Sequence, residues 1–149
     1  MDMNIVGFLE GKTPDQRGRM LSMLWKQTDD EVETIHDYIQ WMFPLDEPSQ
    51  AVNGAPVLND LDIDEIRENQ LAVDNLEKSA RWFLGFLERN DHWLTNYDHN
   101  HLRITRAIKS LRLLTSDPVA DAFKDKVIEL AGDNLSLVNQ KARDFWISV

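Results

Sequence analysis

Apolar residues recur along most of the chain at spacings of three and four, the period of helices rather than the alternation of strands. Ile5, Val6, Phe8 and Leu9 predict a short first helix ended by Gly11. Thr13-Pro14-Asp15 reads as a helix start, with Thr as N-cap, Pro at the first position and an acid in the first turn. Met20, Leu21, Leu24 and Trp25 give that helix an apolar face, and Gly18 inside it would cost ~1 kcal/mol relative to Ala. Thr28-Asp29-Asp30-Glu31 has the capping-box pattern and opens a helix predicted to run to Phe43. Pro44 closes it, because proline disfavours helical geometry in the residue before it. On a helical wheel Val32, Ile35, His36, Ile39, Met42 and Phe43 share one face, with Tyr38 and Trp41 in a second apolar stripe. A surface helix needs one such stripe, so this helix is expected to be central, with the others packed around it.

Residues 44–58 hold three of the five prolines together with apolar residues that can pack down, which predicts an ordered loop. Asn59 or Asp62 caps the next helix, expected to reach about Arg89 with a break near Asn69-Gln70 and with Ile66, Val73, Leu76, Ala80, Phe83, Leu84 and Leu87 on one stripe. Residues 90–101 are polar and irregular. From Leu102 to Leu114 the helical period returns, with Ile104, Ala107, Ile108, Leu111 and Leu114 inward. Ser116-Asp117-Pro118 starts a further helix ended by Gly132, and a last helix turns Val138, Ala142, Phe145 and Val149 inward with Trp146 beside them. There is no sustained alternation and no internal repeat. The expected architecture is all-α, one domain over residues 1–149, an irregular bundle of six or seven helices.

Composition narrows the partners. The chain has 149 residues, 42% of them hydrophobic, enough for one domain with a real core. A formal net charge of -10 repels phosphate backbones and gains nothing from anionic lipid, so neither nucleic acid nor a membrane surface is an expected partner. The absence of cysteine excludes disulfides, thiolate metal sites and cysteine nucleophiles. Met1-Asp2-Met3-Asn4 lacks the basic start of a signal peptide. The densest apolar run, Trp82 to Leu87, is far short of the ~20 residues that span a bilayer. A soluble cytoplasmic protein is expected.

Three constellations carry candidate chemistry. His92, His99 and His101, with Asp91 and Asp98, have the residue types of a zinc site. They lie on an irregular segment with no helical or hairpin frame, and Asp98, His99 or Asn100 can instead cap the helix that follows. No metal and no cofactor is expected. Arg103, Arg106, Lys109 and Arg112 form a basic face, on which Arg103 and Arg106 stand one turn apart and could hold one carboxylate together. An acidic peptide or protein is therefore the candidate partner. His36, near Asp37 and Glu33, offers an acid–base pair, but it falls on the apolar face of its helix. No Gly-x-Ser-x-Gly elbow and no phosphate-cradling glycine loop is present.

His36-Asp37-Tyr38-Ile39-Gln40-Trp41-Met42-Phe43-Pro44-Leu45 resembles the signature of the opioid growth factor receptor conserved region, and the stretch from Asn100 to Leu111 resembles its second signature. Glu47-Pro48-Ser49, Ala55-Pro56-Val57-Leu58 and Leu84-Gly85-Phe86 are weaker matches between them. Phe8-Leu9-Glu10-Gly11 and the stretch from Pro14 to Arg19 are similar to short, microbial-type members. Animal members are named for binding an opioid peptide, Met-enkephalin. The resemblance implies the fold and a binding role, and it transfers no catalytic residues. The expected function is a non-catalytic peptide- or protein-binding module, with candidate contacts at His36, Gln40, Trp41, Asn100, Arg103 and Arg106. The alternatives are a small hydrolase or transferase using His36 and the Arg103/Arg106 helix, and a structural subunit of a homo-oligomer. The polar residues of the two signatures predict one network. In it the head of the Leu102–Leu114 helix lies beside residues 36–43, and Gln40 or His36 bonds Asn100, Arg103 or the backbone around them. Asp46 or Glu47 is expected to answer any charge left over on Arg103 or Arg106.

Overall fold

Helix caps divide the chain much as their side chains dictate. The computed structural model describes residues 4–49 and 51–149; Met1 to Met3, read above for a leader, lie outside the described residues. Among those described there are nine α-helices: α1 (Ile5–Leu9), α2 (Leu21–Leu24), α3 (Asp29–Thr34), α4 (Ile39–Met42), α5 (Asp60–Arg67), α6 (Gln70–Arg89), α7 (His99–Leu114), α8 (Asp117–Ala131) and α9 (Gln140–Ser148). A 3-10 segment, Gly132–Leu137, joins α8 to α9. The all-α architecture is as expected, with more and shorter helices. No strand occurs among the described residues, where a parallel bridge between Leu45 and Val57 anchors the 44–58 loop. Pro44, Leu45, Ala55, Pro56 and Leu58 of that loop are buried, so it packs down as expected.

The capping logic holds at most starts. Thr28 accepts the Glu31 amide while the Glu31 carboxylate takes the Thr28 amide, a full capping box. Asn59, Asn69, Asp98, Ser116 and Asn139 cap α5 to α9 in the same side-chain manner. The break near Asn69-Gln70 is real, because Asn69 leaves helical geometry to accept the Ala72 amide.

The start at Thr13-Pro14-Asp15 is not a helix. The Asp15 carboxylate, 1% exposed, turns back onto the amides of Arg17 (2.9 Å) and Arg19 (3.0 Å) and onto Arg19 Nε (2.8 Å). Side-chain bonds of this kind compete with the helical ladder. The turn they close places Gly18 at φ +77°, a left-handed conformation, so this glycine is a turn residue and not a helix weakness. The apolar face expected there survives only as the single turn α2.

The predicted 31–43 helix is also broken. Ile35 is extended, at φ -91° and ψ 129°, and residues 35–38 separate α3 from α4. The central element is instead α7, whose Ile104, Ala107, Ile108, Leu111 and Leu114 are each fully buried. It packs against α5, α6, α8 and α9. On α9 the inward aromatic is Trp146, 1% exposed, while Phe145 faces out at 44%, reversing the expected order.

Trp41 remains a core residue although its helix is one turn long. It is 1% exposed, meets Phe8 edge to face at 5.2 Å between ring centres, and donates its indole N–H to Gln16 Oε1. Trp41→Ala is expected to lower stability by ~3–5 kcal/mol, the range for a buried aromatic truncation, read as a drop in denaturant midpoint with the slope unchanged.

Candidate functional site

Breaking one helix into α3 and α4 leaves two sets of C-terminal carbonyls without partners in their own ladder. A polar row on α7 supplies the donors. Asn100, Arg103, Arg106 and Ser110 follow at intervals of three, three and four, so they line one face of that helix. Arg103 forks across the end of α3: Nη1 donates to Val32 O at 2.7 Å and Nη2 to Ile35 O at 2.8 Å. Tyr38 donates its hydroxyl to the same Val32 carbonyl at 2.7 Å, and the Arg103 guanidinium lies 5.6 Å from the centre of the Tyr38 ring. Arg106 serves the end of α4 through Nε to Phe43 O at 2.8 Å and Nη2 to Gln40 O at 3.4 Å. Ser110 donates to Pro44 O at 2.8 Å. Cations at helix C-termini also meet the negative end of the macrodipole. Burial draws the Arg106 guanidinium down to about 10, opposed by the charge of Glu47, which leaves it ionised at neutral pH.

At the head of this row a carboxylate gathers histidines. Glu33, on the last turn of α3, receives Asn100 Nδ2 at 3.1 Å on the oxygen that also meets His92 Nε2 at 2.7 Å. His99 Nε2 lies 3.0 Å from its other oxygen. The His36 ring stands edge-on to His99, 5.0 Å between centres. Burial pushes the Glu33 carboxyl up, but bonds from Asn100 and His92 and the charges of His99 and His92 outweigh it and hold it below its ordinary value. Burial and then the Arg103 cation push the His99 imidazole below its ordinary value, against Glu33 and Asp98. His101 is apart from this cluster. It is 4% exposed, its Nε2 lies 2.7 Å from Trp93 O, and it packs edge-on against Trp146.

Of the six candidate contacts, the structure gathers all but Trp41 at this junction, Gln40 through its main-chain carbonyl, and mostly as interior groups. Asn100 is fully buried, and Arg103 and Gln40 are each 7% exposed. Trp41 belongs to the core, Arg106 is half-buried, and His36 is exposed. The network joins α7 to residues 32–44 as expected, with different members. The main-chain carbonyls and Glu33 accept, while the buried Gln40 Oε1 has no hydrogen-bond partner. The acid of the 44–58 loop that is answered is Glu47, by Lys109 at 2.6 Å. Arg112 takes Asp117 (2.9 Å) and Asp121 (2.7 Å). All four bases of the basic face are thus engaged within the chain, which removes the pair of guanidinium groups expected to hold an acidic ligand. Glu33, expected beside His36 as one of two possible carboxylates, instead meets His92, His99 and Asn100, which lie some sixty residues away in sequence and which nothing local marks as its partners.

A concavity of about 550 Å³ lies elsewhere, between α6 and α8. Leu84, Gly85, Val119, Ala122, Phe123 and Leu130 line it, and Glu77, Arg81, Glu88, Lys126 and Glu129 also border it. Of the stretches that resemble the family only Leu84-Gly85 touches it, and nothing in that weak match marked a groove, since the apolar residues are the flank of two ordinary amphipathic stripes.

The fold is that of an all-α domain in which a row of polar groups on α7 caps the ends of two short helices. The chain belongs to the family of the opioid growth factor receptor conserved region, whose model matches residues 16–90. That stretch runs from the Asp15 turn to the end of α6 and includes α3, α4 and Glu33; the α7 row lies beyond it. The chain is similar to the mouse opioid growth factor receptor, 30% identical over 145 residues, which cover 83% of this chain and 22% of the relative. It is 27% identical to the mouse opioid growth factor receptor-like protein 1, covering 83% and 30%. Against the receptor-like protein 1 of Xenopus tropicalis it is 34% identical over 106 residues, 58% of this chain and 20% of the relative. The chain therefore spans less than a third of the length of each of these relatives. No solved structure matches it.

Two outcomes test the junction. Arg103→Ala orphans Ile35 O and leaves Val32 O with one donor, so it should cost about 3 kcal/mol in denaturant unfolding. Arg103→Lys should recover little of this, because one ammonium cannot reproduce the fork. Burial, with a smaller push from Glu33, raises the Tyr38 phenol to about 12 against the charges of Arg103 and Arg19. A phenol that holds its proton more tightly when folded contributes stability below its ordinary value near 10, lost as pH rises towards 12. In a Tyr97→Phe background, which leaves Tyr38 the sole tyrosine, tyrosinate absorbance should appear late and together with unfolding. A free titration near 10 in the folded chain would show the hydroxyl to be accessible.

Proposed function

We propose that this domain is a non-catalytic binding module that takes an amphipathic helical segment of a partner peptide or protein in the α6/α8 groove. The observation that carries this reading is the groove's chemistry. Its floor is apolar and its borders are charged, and about 550 Å³ lies within the range of small-ligand and peptide sites. Gly85 sits on its α6 wall, with the Arg89 guanidinium lying beside it. The bordering charges are three acids and two bases, Glu77, Glu88 and Glu129 against Arg81 and Lys126. A segment with apolar residues at helical spacing and a mildly basic rim fits better than the acidic peptide expected from α7. The names of the relatives, receptors for a growth factor, are in keeping with a peptide-binding role. An enzyme built on His36, Arg103 and Arg106 loses its two guanidinium groups to main-chain carbonyls.

Selection of displayed peptides on the immobilised chain tests this. The selected sequences should carry apolar residues at i, i+3 or i+4 and i+7. Ala122 is exposed within the groove, so Ala122→Arg should weaken them at least tenfold without changing the melting temperature by more than a degree or two. Peptides that bind the variant as well as the parent chain would place binding elsewhere.

A further inference from the structure

We infer that Glu33, Asp98 and His99, with His92 beside them, form a binding site for one divalent transition-metal ion, with zinc the best match. The coordinating atoms of Glu33, Asp98 and His99 lie within 4.8 Å of one another. His99 Nε2 lies 3.0 Å from one Glu33 oxygen and His92 Nε2 lies 2.7 Å from the other. Ligand atoms of a tetrahedral zinc, bound at ~2.0–2.2 Å, stand about 3.3–3.6 Å from one another. The two imidazole–carboxylate contacts are shorter than this because they are direct hydrogen bonds, and an ion would take the place of the proton between His99 and Glu33 with a shift of a few tenths of an ångström.

The frame that the sequence lacked comes from three separate elements. Glu33 is fixed at the end of α3, Asp98 and His99 open α7, and His92 stands on the 90–98 segment. That segment is held from below by Trp93, 1% exposed, whose indole N–H is shared between Leu87 O at 3.0 Å and Asn90 O at 2.8 Å. Supporting bonds orient the ligands as metal sites require. Asn100 Nδ2 holds one Glu33 oxygen, and Asp98 Oδ1 is held by the Asn100 amide at 2.9 Å, leaving Asp98 Oδ2 to turn to the ion. Glu33, His92 and His99 all reach solvent, so entry needs no opening.

The donor set selects the metal. One imidazole with two carboxylates, and water or His92 completing the shell, suits zinc and its neighbours. Calcium needs six to eight oxygens, and magnesium holds several waters beside one or two carboxylates. Two carboxylates and a dication sum to zero charge with both imidazoles neutral. His99 would bind through Nε2, which requires the proton on Nδ1. Bound metal would pin α7 and the 90–98 segment to the end of α3, beside the carbonyls that Arg103 caps.

The test uses the full chain, stripped with chelator and titrated with zinc chloride by calorimetry. One equivalent should bind, with a melting temperature that rises with free zinc as mass action requires. His99→Ala and Glu33→Gln should each weaken uptake at least tenfold, while Asp91→Asn, beside the cluster but outside it, should not. Ring-proton NMR of the parent chain needs no variant and should report on His92 and His99 together, leaving the buried His101 unmoved. No saturable uptake, uptake unchanged in both variants, or NMR shifts confined to other residues would overturn the site.

Discussion

The fork of Arg103 across Val32 O and Ile35 O is the contact on which the arrangement depends. A helix that stops at Thr34 and restarts at Ile39 exposes carbonyls to a largely apolar interior, where an unpaired acceptor costs ~1–3 kcal/mol. A planar guanidinium with donors on two nitrogens can satisfy two carbonyls at once. Without it the broken segment would have to straighten into one helix or admit water. The break in turn lets Tyr38 fold back onto Val32 O and lets Asp37 reach Arg17 (2.8 Å) and Arg19 (3.0 Å). Arg19 also pairs with the buried Asp15, so the ion pairs around the break extend to the turn that replaces a predicted helix. Two departures from helical continuity, twenty residues apart, are held by one connected set of charges.

This explains why an acidic protein carries a helix without acids. The basic residues of α7 do not answer a ligand's charge; they answer partial negative charge at two helix ends and, further along, Glu47, Asp117 and Asp121. A buried guanidinium among carbonyls is satisfied by hydrogen bonds rather than by a counter-ion. The consequence for function is a division of labour. The face of α7 towards residues 32–44 is structural, while the groove between α6 and α8 keeps apolar surface open. α6, which forms one wall of the groove, is also tied to the start of α3 by Arg89 and Asp29 at 2.9 Å.

Much of the fold was legible in the residues. Capping side chains at Thr28, Asn59, Asn69 and Ser116 set helix starts through bonds that span three residues, and such local bonds form whatever surrounds them. The stripe from Ile104 to Leu114 announced a buried helix, and the two stretches resembling the family signatures marked elements that do meet in space. The residues that close the meeting were legible as polar oddities without a geometry. A buried amide needs partners, which makes the Gln40 side chain the expected member, yet its Oε1 has none. It is the carbonyl of Gln40 that is bonded, and no sequence pattern distinguishes a side chain from its own main chain.

What the sequence determined by itself is the helical class, most helix starts and the inward faces, all consequences of contacts within one turn or one period. The tertiary structure alone decided where helices fail. Asp15 could have sat in a first turn, and residues 31–43 could have run unbroken; each has the local propensity for it. Bonds from Asp15 to two amides, and from Arg103 seventy residues away, outweigh propensities of a few tenths of a kcal/mol per residue. The assembly of Glu33, His92, Asp98 and His99 is of the same kind, since proximity between distant residues is a property of packing.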